Sequence, residues 1–202
     1  MDSISCFPAV TITDEGPVSA AFLARDLTTL QQAAHWLKAV PYGSNSDASN
    51  SWLVFTENRG TCTTKHSLFA RLAAELGVPI YKNNGFYRLN DAIVTGVSAI
   101  LAPHGLTYIP QMHCFLQHQD SWVDLTEGNC NGKNTTIEDY DFIVRVLPDM
   151  SRTDAQQQYV EYLKKYFAWE PRLAELGVEA VLGLLEKCEQ QLKYQCAIMA
   201  AA

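Results

Sequence analysis

Arg59-Gly60-Thr61-Cys62-Thr63-Thr64-Lys65-His66-Ser67-Leu68-Phe69-Ala70-Arg71-Leu72-Ala73-Ala74-Glu75-Leu76-Gly77 is the stretch on which the fold turns. Leu68, Phe69, Leu72, Ala73 and Leu76 recur at helical spacing, Thr61 can cap the start, and Gly77 sits where a left-handed C-cap belongs. A glycine turn therefore delivers Cys62 into the first turn of a helix. Unpaired backbone N–H groups and the helix dipole at such a position favour a thiolate, and the same N–H groups can stabilise an oxyanion.

Downstream, Val78 to Tyr81 reads as a strand, Asn83-Asn84-Gly85 as a turn, and Asn90 to Ala102 as a helix closed by Pro103 and Gly105. Gln111 to His118 and Ser121 to Thr126 are β-rich runs separated by a short polar step, which predicts an antiparallel hairpin. Asp141 to Leu147 adds a strand, and Gly128 to Thr136 is a polar loop.

Upstream, Leu27 to Val40 carries a helical apolar stripe with Thr28 or Thr29 as N-cap and Pro41 as the stop. Residues 42–51 form a surface loop, and Trp52-Leu53-Val54-Phe55 leads the chain inward. At the C-terminal end, Ala155 to Trp169 and Val178 to Ala197 are helical in pattern, broken at Pro171. Val181, Leu184, Leu185, Cys188 and Leu192 make one stripe that either finishes the core or forms a homodimer surface. The expectation is an α+β fold with N-terminal helices packed on an antiparallel sheet in a core of residues 1–150, followed by a helical extension of residues 151–202.

The chain has 202 residues, 48% of them hydrophobic and 18% charged, and is long enough to bury a core without disulfide staples. Fifteen basic against 22 acidic residues give a net charge of −7. That balance argues against nucleic acid and against anionic membrane surfaces as partners, because both need clustered Lys and Arg. The six cysteines form no C-x-x-C pair and read as reduced thiols in a cytoplasmic compartment. Met1 to Pro8 lacks the basic region of a signal peptide, and no run approaches the roughly 18 apolar residues of a membrane span. Were Ala200-Ala201-Ala202 a cloning scar, Cys196-Ala197-Ile198-Met199 would match a prenylation box.

Alternation along the hairpin puts His113 and Phe115 on one face, and Cys114, Leu116 and His118 on the other. On the return strand Trp122 and Asp124 share a face. A four-residue loop pairs Leu116 with Ser121 and sets His113 across from Asp124; a two-residue loop makes the two diagonal neighbours. In either register Asp124 can accept a hydrogen bond from one imidazole nitrogen, leaving the other to take the Cys62 proton. His66, one helical turn after Cys62, is the rival base, but its side-chain path to the thiol is awkward, and it is read instead as lining the cleft. Trp52, Asn58 and Gln111 are candidates for a second oxyanion donor. His104, His113, Cys114, His118 and Cys130 fit no ligand spacing, so neither a metal nor a cofactor is expected.

Arg59-Gly60-Thr61-Cys62, the helix ending Leu76-Gly77, His113-Cys114-Phe115 and Trp122-Val123-Asp124-Leu125-Thr126 together resemble the transglutaminase-like superfamily of papain-type folds. The resemblance covers roughly residues 52–147. It implies a cysteine-dependent acyltransferase or hydrolase in which Cys62 forms a thioacyl intermediate, His113 moves the proton and Asp124 orients the imidazole. The partners implied are an acyl donor, whether small-molecule, carrier-bound or peptide, and an amine or water as acceptor. The Arg-Gly-x-Cys start is also similar to arylamine N-acetyltransferases, which implies an acetyl-CoA enzyme as the alternative. A third reading is a non-catalytic binding or scaffold module of the same fold.

Overall fold

Helix starts in the computed structural model, which describes residues 4–201, are set by local capping chemistry. Helix α1 (Pro17–Leu23) opens on a proline, and the Glu75 carboxylate accepts the N–H groups of Val18 and Ser19 at 3.0 and 2.6 Å. Helix α2 (Leu30–Ala39) begins at Thr29, whose hydroxyl accepts from Gln32 N while Gln32 Oε1 accepts from Thr29 N, a reciprocal capping box. Helix α3 (Leu53–Glu57) ends at Asn58 in the left-handed conformation. Then follow α4 (Cys62–Glu75), β1 (Ile80–Leu89), α5 (Val97–Leu101), β2 (Ile109–His118), β3 (Ser121–Val123), β4 (Phe142–Arg145), α6 (Arg152–Tyr166) and α7 (Pro171–Ala201). Gly177, at φ 76° and ψ 169°, breaks α7 into two helical pieces.

The described residues thus form a mixed α+β fold, with seven α-helices and one sheet of strand order β3-β2-β1-β4. β2 and β3 pair antiparallel, with Leu116 opposite Val123 and His118 opposite Ser121. Among the described residues no helix is long and apolar enough to cross a membrane. The readings made on Met1 to Ser3 and on Ala202 lie outside the described residues.

Three local expectations are corrected. Asn83-Asn84-Gly85 is not a turn but the middle of β1. Both asparagine side chains are buried and bonded, Asn83 donating to Gln117 Oε1 at 3.2 Å, and a Cβ on Gly85 would fall 2.2 Å from the Tyr140 ring. The glycine is therefore there for close approach, not for turning. The helix read over Asn90 to Ala102 is cut to α5, because Gly96 adopts φ 93° and the Asp91 carboxylate accepts from Gly96 N and Ser98 N, both at 2.9 Å, starting a new helix there. In the hairpin, the four-residue loop gives way to the two-residue one, Gln119-Asp120, with Gln119 at φ 51°, and β3 stops at Val123, one residue short of Asp124.

The chain divides into two compact units, each assembled from separated segments. The first holds residues 1–84, 114–129 and 144–150. In its core α4 packs against α1, α2 and α3, burying Phe22, Leu30, Leu37, Leu68, Phe69 and Leu72. Phe7 stacks on Phe69 with centroids 4.9 Å apart, and Phe55 gathers Phe22, Trp36 and Trp52 around it. The second holds residues 85–113, 130–143 and 151–202. There α7 packs on α5 and α6 and buries Val181, Leu184 and Cys188, so the C-terminal stripe serves internal packing. Phe86 stacks on Tyr162 at 4.3 Å, and the Tyr159 hydroxyl donates to Pro110 O at 2.7 Å.

Candidate active site at the start of helix α4

Gly60 makes the approach to Cys62 possible. Its N–H donates to Pro41 O at 3.1 Å and its carbonyl accepts from Gly43 N at 3.3 Å, which pins the turn to the segment after α2. A Cβ on Gly60 would lie 2.9 Å from Thr64 Oγ1 and 3.0 Å from both Lys65 Cγ and Val54 Cγ2, so only glycine fits without a shift. Thr61, with extended backbone, is the N-cap; its N–H donates to Thr64 Oγ1 at 3.1 Å. Cys62 is then the first helical residue, as the sequence predicts, and its side chain is half-buried.

A polar strut that the sequence did not reveal holds this turn. Thr64 donates to Asn45 Oδ1 at 2.8 Å, and Asn45 Nδ2 donates to Arg59 O at 2.9 Å and to Glu57 at 3.0 Å. The Ser46 hydroxyl and the Asn45 amide, both donating to Glu57, hold its carboxyl below the ordinary range. Tyr42 to Ser51 reads only as a surface loop, and nothing in its composition singles out Asn45.

Behind Cys62 the helix buries Thr64, Lys65, His66 and Ser67 in succession. Lys65 Nζ donates to Val40 O. Burial pushes the Lys65 ammonium down to about 8 against a value of 10.5, and the negative charge of Asp124 opposes that shift. His66 Nε2 accepts the Leu125 N–H at 2.8 Å and lies 3.4 Å from Asp124 Oδ1. A nitrogen that accepts a backbone N–H carries no proton, so this contact with Asp124 is not an ion pair and the imidazole proton sits on Nδ1. With that lone pair taken, Nε2 of the fully buried His66 is unsuited to receive a thiol proton. The ring ties α4 to the segment that follows β3.

Asp124 is buried, and its Oδ1 accepts from Thr126 N at 2.7 Å and Thr126 Oγ1 at 2.6 Å. These bonds fix the carboxylate after the hairpin has left the sheet. Cys114 on β2 is in hydrogen-bond contact with Cys62, and the same contact together with burial pushes the Cys114 thiol well above its ordinary value; the Lys82 ammonium works the other way. Cys114 Sγ donates to Asn84 Oδ1 at 3.1 Å and stands 3.8 Å from Thr63 Oγ1. Lys82 is itself buried, donating to Ser67 Oγ at 2.8 Å and Pro148 O at 3.2 Å.

The first unit therefore contains Cys62, His66, Cys114 and Asp124, while His113, the residue before Cys114, is counted with the second. His113 is buried, and Lys133 Nζ lies 3.3 Å from its Nδ1, a neighbour that spacing gave no reason to expect. Of the suggested oxyanion donors, Trp52 packs edge-on against Phe55 at 5.2 Å. Asn58 is exposed and serves α3 through its left-handed backbone. Gln111 Oε1 accepts from Met112 N at 2.8 Å and its amide donates to Glu189 at 3.4 Å. Among the described residues no group of three or more His, Cys, Asp or Glu side chains is placed to hold a metal ion.

Comparison with known proteins returned nothing: no family model, no curated protein and no solved structure matches the chain.

Proposed function

We propose that the chain is a cysteine-dependent acyl-transfer enzyme or hydrolase with a papain-like, transglutaminase-like core, and that Cys62 is its nucleophile. One observation carries the reading: a half-buried thiol opens a 14-residue helix on a close-packed glycine turn, with Asp124 buried in the same unit. Cys62 attacks an amide, ester or thioester carbonyl, forming an S–C bond. The helix-start N–H groups face the developing oxyanion, and collapse of the tetrahedral adduct expels the amine, alcohol or thiol. Cys114 is the β2 side chain that meets Cys62; it is the family resemblance that assigns the proton transfer to His113 and the orientation of its imidazole to Asp124. An amine or water then resolves the thioacyl enzyme.

The test is acylation by p-nitrophenyl acetate followed by peptide mass spectrometry. An acetyl group on the Cys62 peptide, formed in a burst matched to enzyme concentration and abolished in Cys62→Ala and His113→Ala, is the expected result. Equal acetylation of several cysteines, or a burst that survives in either variant, overturns the assignment.

A further inference from the structure

Two thiols are in contact at the start of α4, and only one is needed as a nucleophile. Cys62 is half-buried and open to small reagents, whereas Cys114 is 3% exposed and bonded to Cys62, to Asn84 Oδ1 and, more distantly, to Thr63 Oγ1. A reactive outer thiol backed by a sheltered inner one is the arrangement in which an oxidised cysteine is resolved before it can be oxidised further. We infer that Cys62 and Cys114 form a reversible disulfide under peroxide, which switches off the site and protects its nucleophile. The inference rests on the reading of Cys62 as a reactive thiolate, though not on acyl chemistry.

The chemistry balances with hydrogen peroxide as the oxidant. The Cys62 thiolate attacks one peroxide oxygen, the O–O bond breaks, and Cys62 becomes a sulfenic acid while the departing hydroxide takes up a proton as water. Cys114 then attacks the Cys62 sulfur, forming the S–S bond and releasing a second water that carries the Cys114 proton. Two electrons pass from the thiol pair to one peroxide. Burial and the contact with Cys62 hold the Cys114 proton in the resting state. Conversion of Cys62 to the sulfenic acid removes the neighbouring thiolate charge that opposes Cys114 ionisation, so the resolving thiol becomes competent only after the first is oxidised. Reduction by a thiol reverses the bond.

The test treats the full chain with an excess of hydrogen peroxide, several equivalents per chain, blocks remaining thiols with N-ethylmaleimide and maps peptides without reduction. A peptide pair joined through Cys62 and Cys114, removed by dithiothreitol, is expected. In Cys114→Ser the same treatment should leave Cys62 carrying two added oxygens. If the wild type takes Cys62 directly to sulfinic acid with no linked pair, the switch is refuted while the reactive thiolate stands. If Cys62 remains unmodified and takes up maleimide as before, both the switch and the reading of Cys62 fall.

Discussion

Replacing Lys65 with methionine should remove a rise of native stability with pH that the wild-type chain carries. The ammonium is buried under α4, and its proton is held to about 8 against 10.5 in an open chain. At roughly 1.4 kcal/mol per pH unit, that gap is worth about 3 kcal/mol. The sign follows from proton counting. Below about pH 8 both states keep the proton and the native state bears the full cost of a buried cation. Between about 8 and 10.5 the native state has released its proton and the unfolded state has not, so unfolding takes up a proton and stability climbs with pH. Above 10.5 the gain is constant. Urea unfolding at pH 7.5 and 10 should therefore show the wild-type free energy gaining about 2 kcal/mol on Lys65→Met. Buried Tyr159 and Tyr166, whose hydroxyls are held protonated chiefly by burial, lose stability at the alkaline end, but they do so in both proteins and cancel in the difference. A difference between the two proteins that stays flat across that range would refute the argument.

Gly60→Ala should cost about 1–3 kcal/mol in urea unfolding, since its Cβ meets three side-chain atoms at 2.9–3.0 Å, and should slow modification of Cys62 by displacing the turn; an unchanged midpoint would mean the turn is looser than described. Asn45→Ala strips Arg59 O of a donor and Thr64 of its acceptor, for an expected loss of about 1–3 kcal/mol, read by the urea midpoint. In the second unit, Tyr159→Phe leaves Pro110 O without a buried donor and should cost about 1–2 kcal/mol, which amide hydrogen exchange over α6 would report as faster exchange there.

What could be read from the sequence was what local chemistry determines. Thr29, Thr61 and Gly77 mark helix ends because caps act within a few residues, and α4 emerged with Cys62 in its first turn for that reason. The stripe through Val181, Leu184 and Cys188 was legible because helical periodicity records burial. What was missed depends on partners distant in the chain. Asn83-Asn84-Gly85 has turn composition, yet Gln117, Cys114 and Tyr140 supply the contacts that make it a strand. His66 reads as lining the cleft and Lys65 draws no reading; their burial reflects Val40 O and Leu125 N, which lie 25 and 59 residues away. Alternation along β2 separates His113 from Cys114 but says nothing of which strand residue meets Cys62, and the thiol pair became visible only in three dimensions.

The central claim is that Cys62 is an activated nucleophile served by His113. It is tested most directly by the pH dependence of iodoacetamide labelling, followed peptide by peptide in the wild type and His113→Ala. Cys188 is the internal reference, its thiol pushed up to about 11 by burial and by Glu189. The account predicts rapid labelling of Cys62 well below the roughly 8.5 of a free thiol, with that advantage lost in the variant. Labelling of Cys62 that rises only near pH 8.5 and is indifferent to His113 would contradict it.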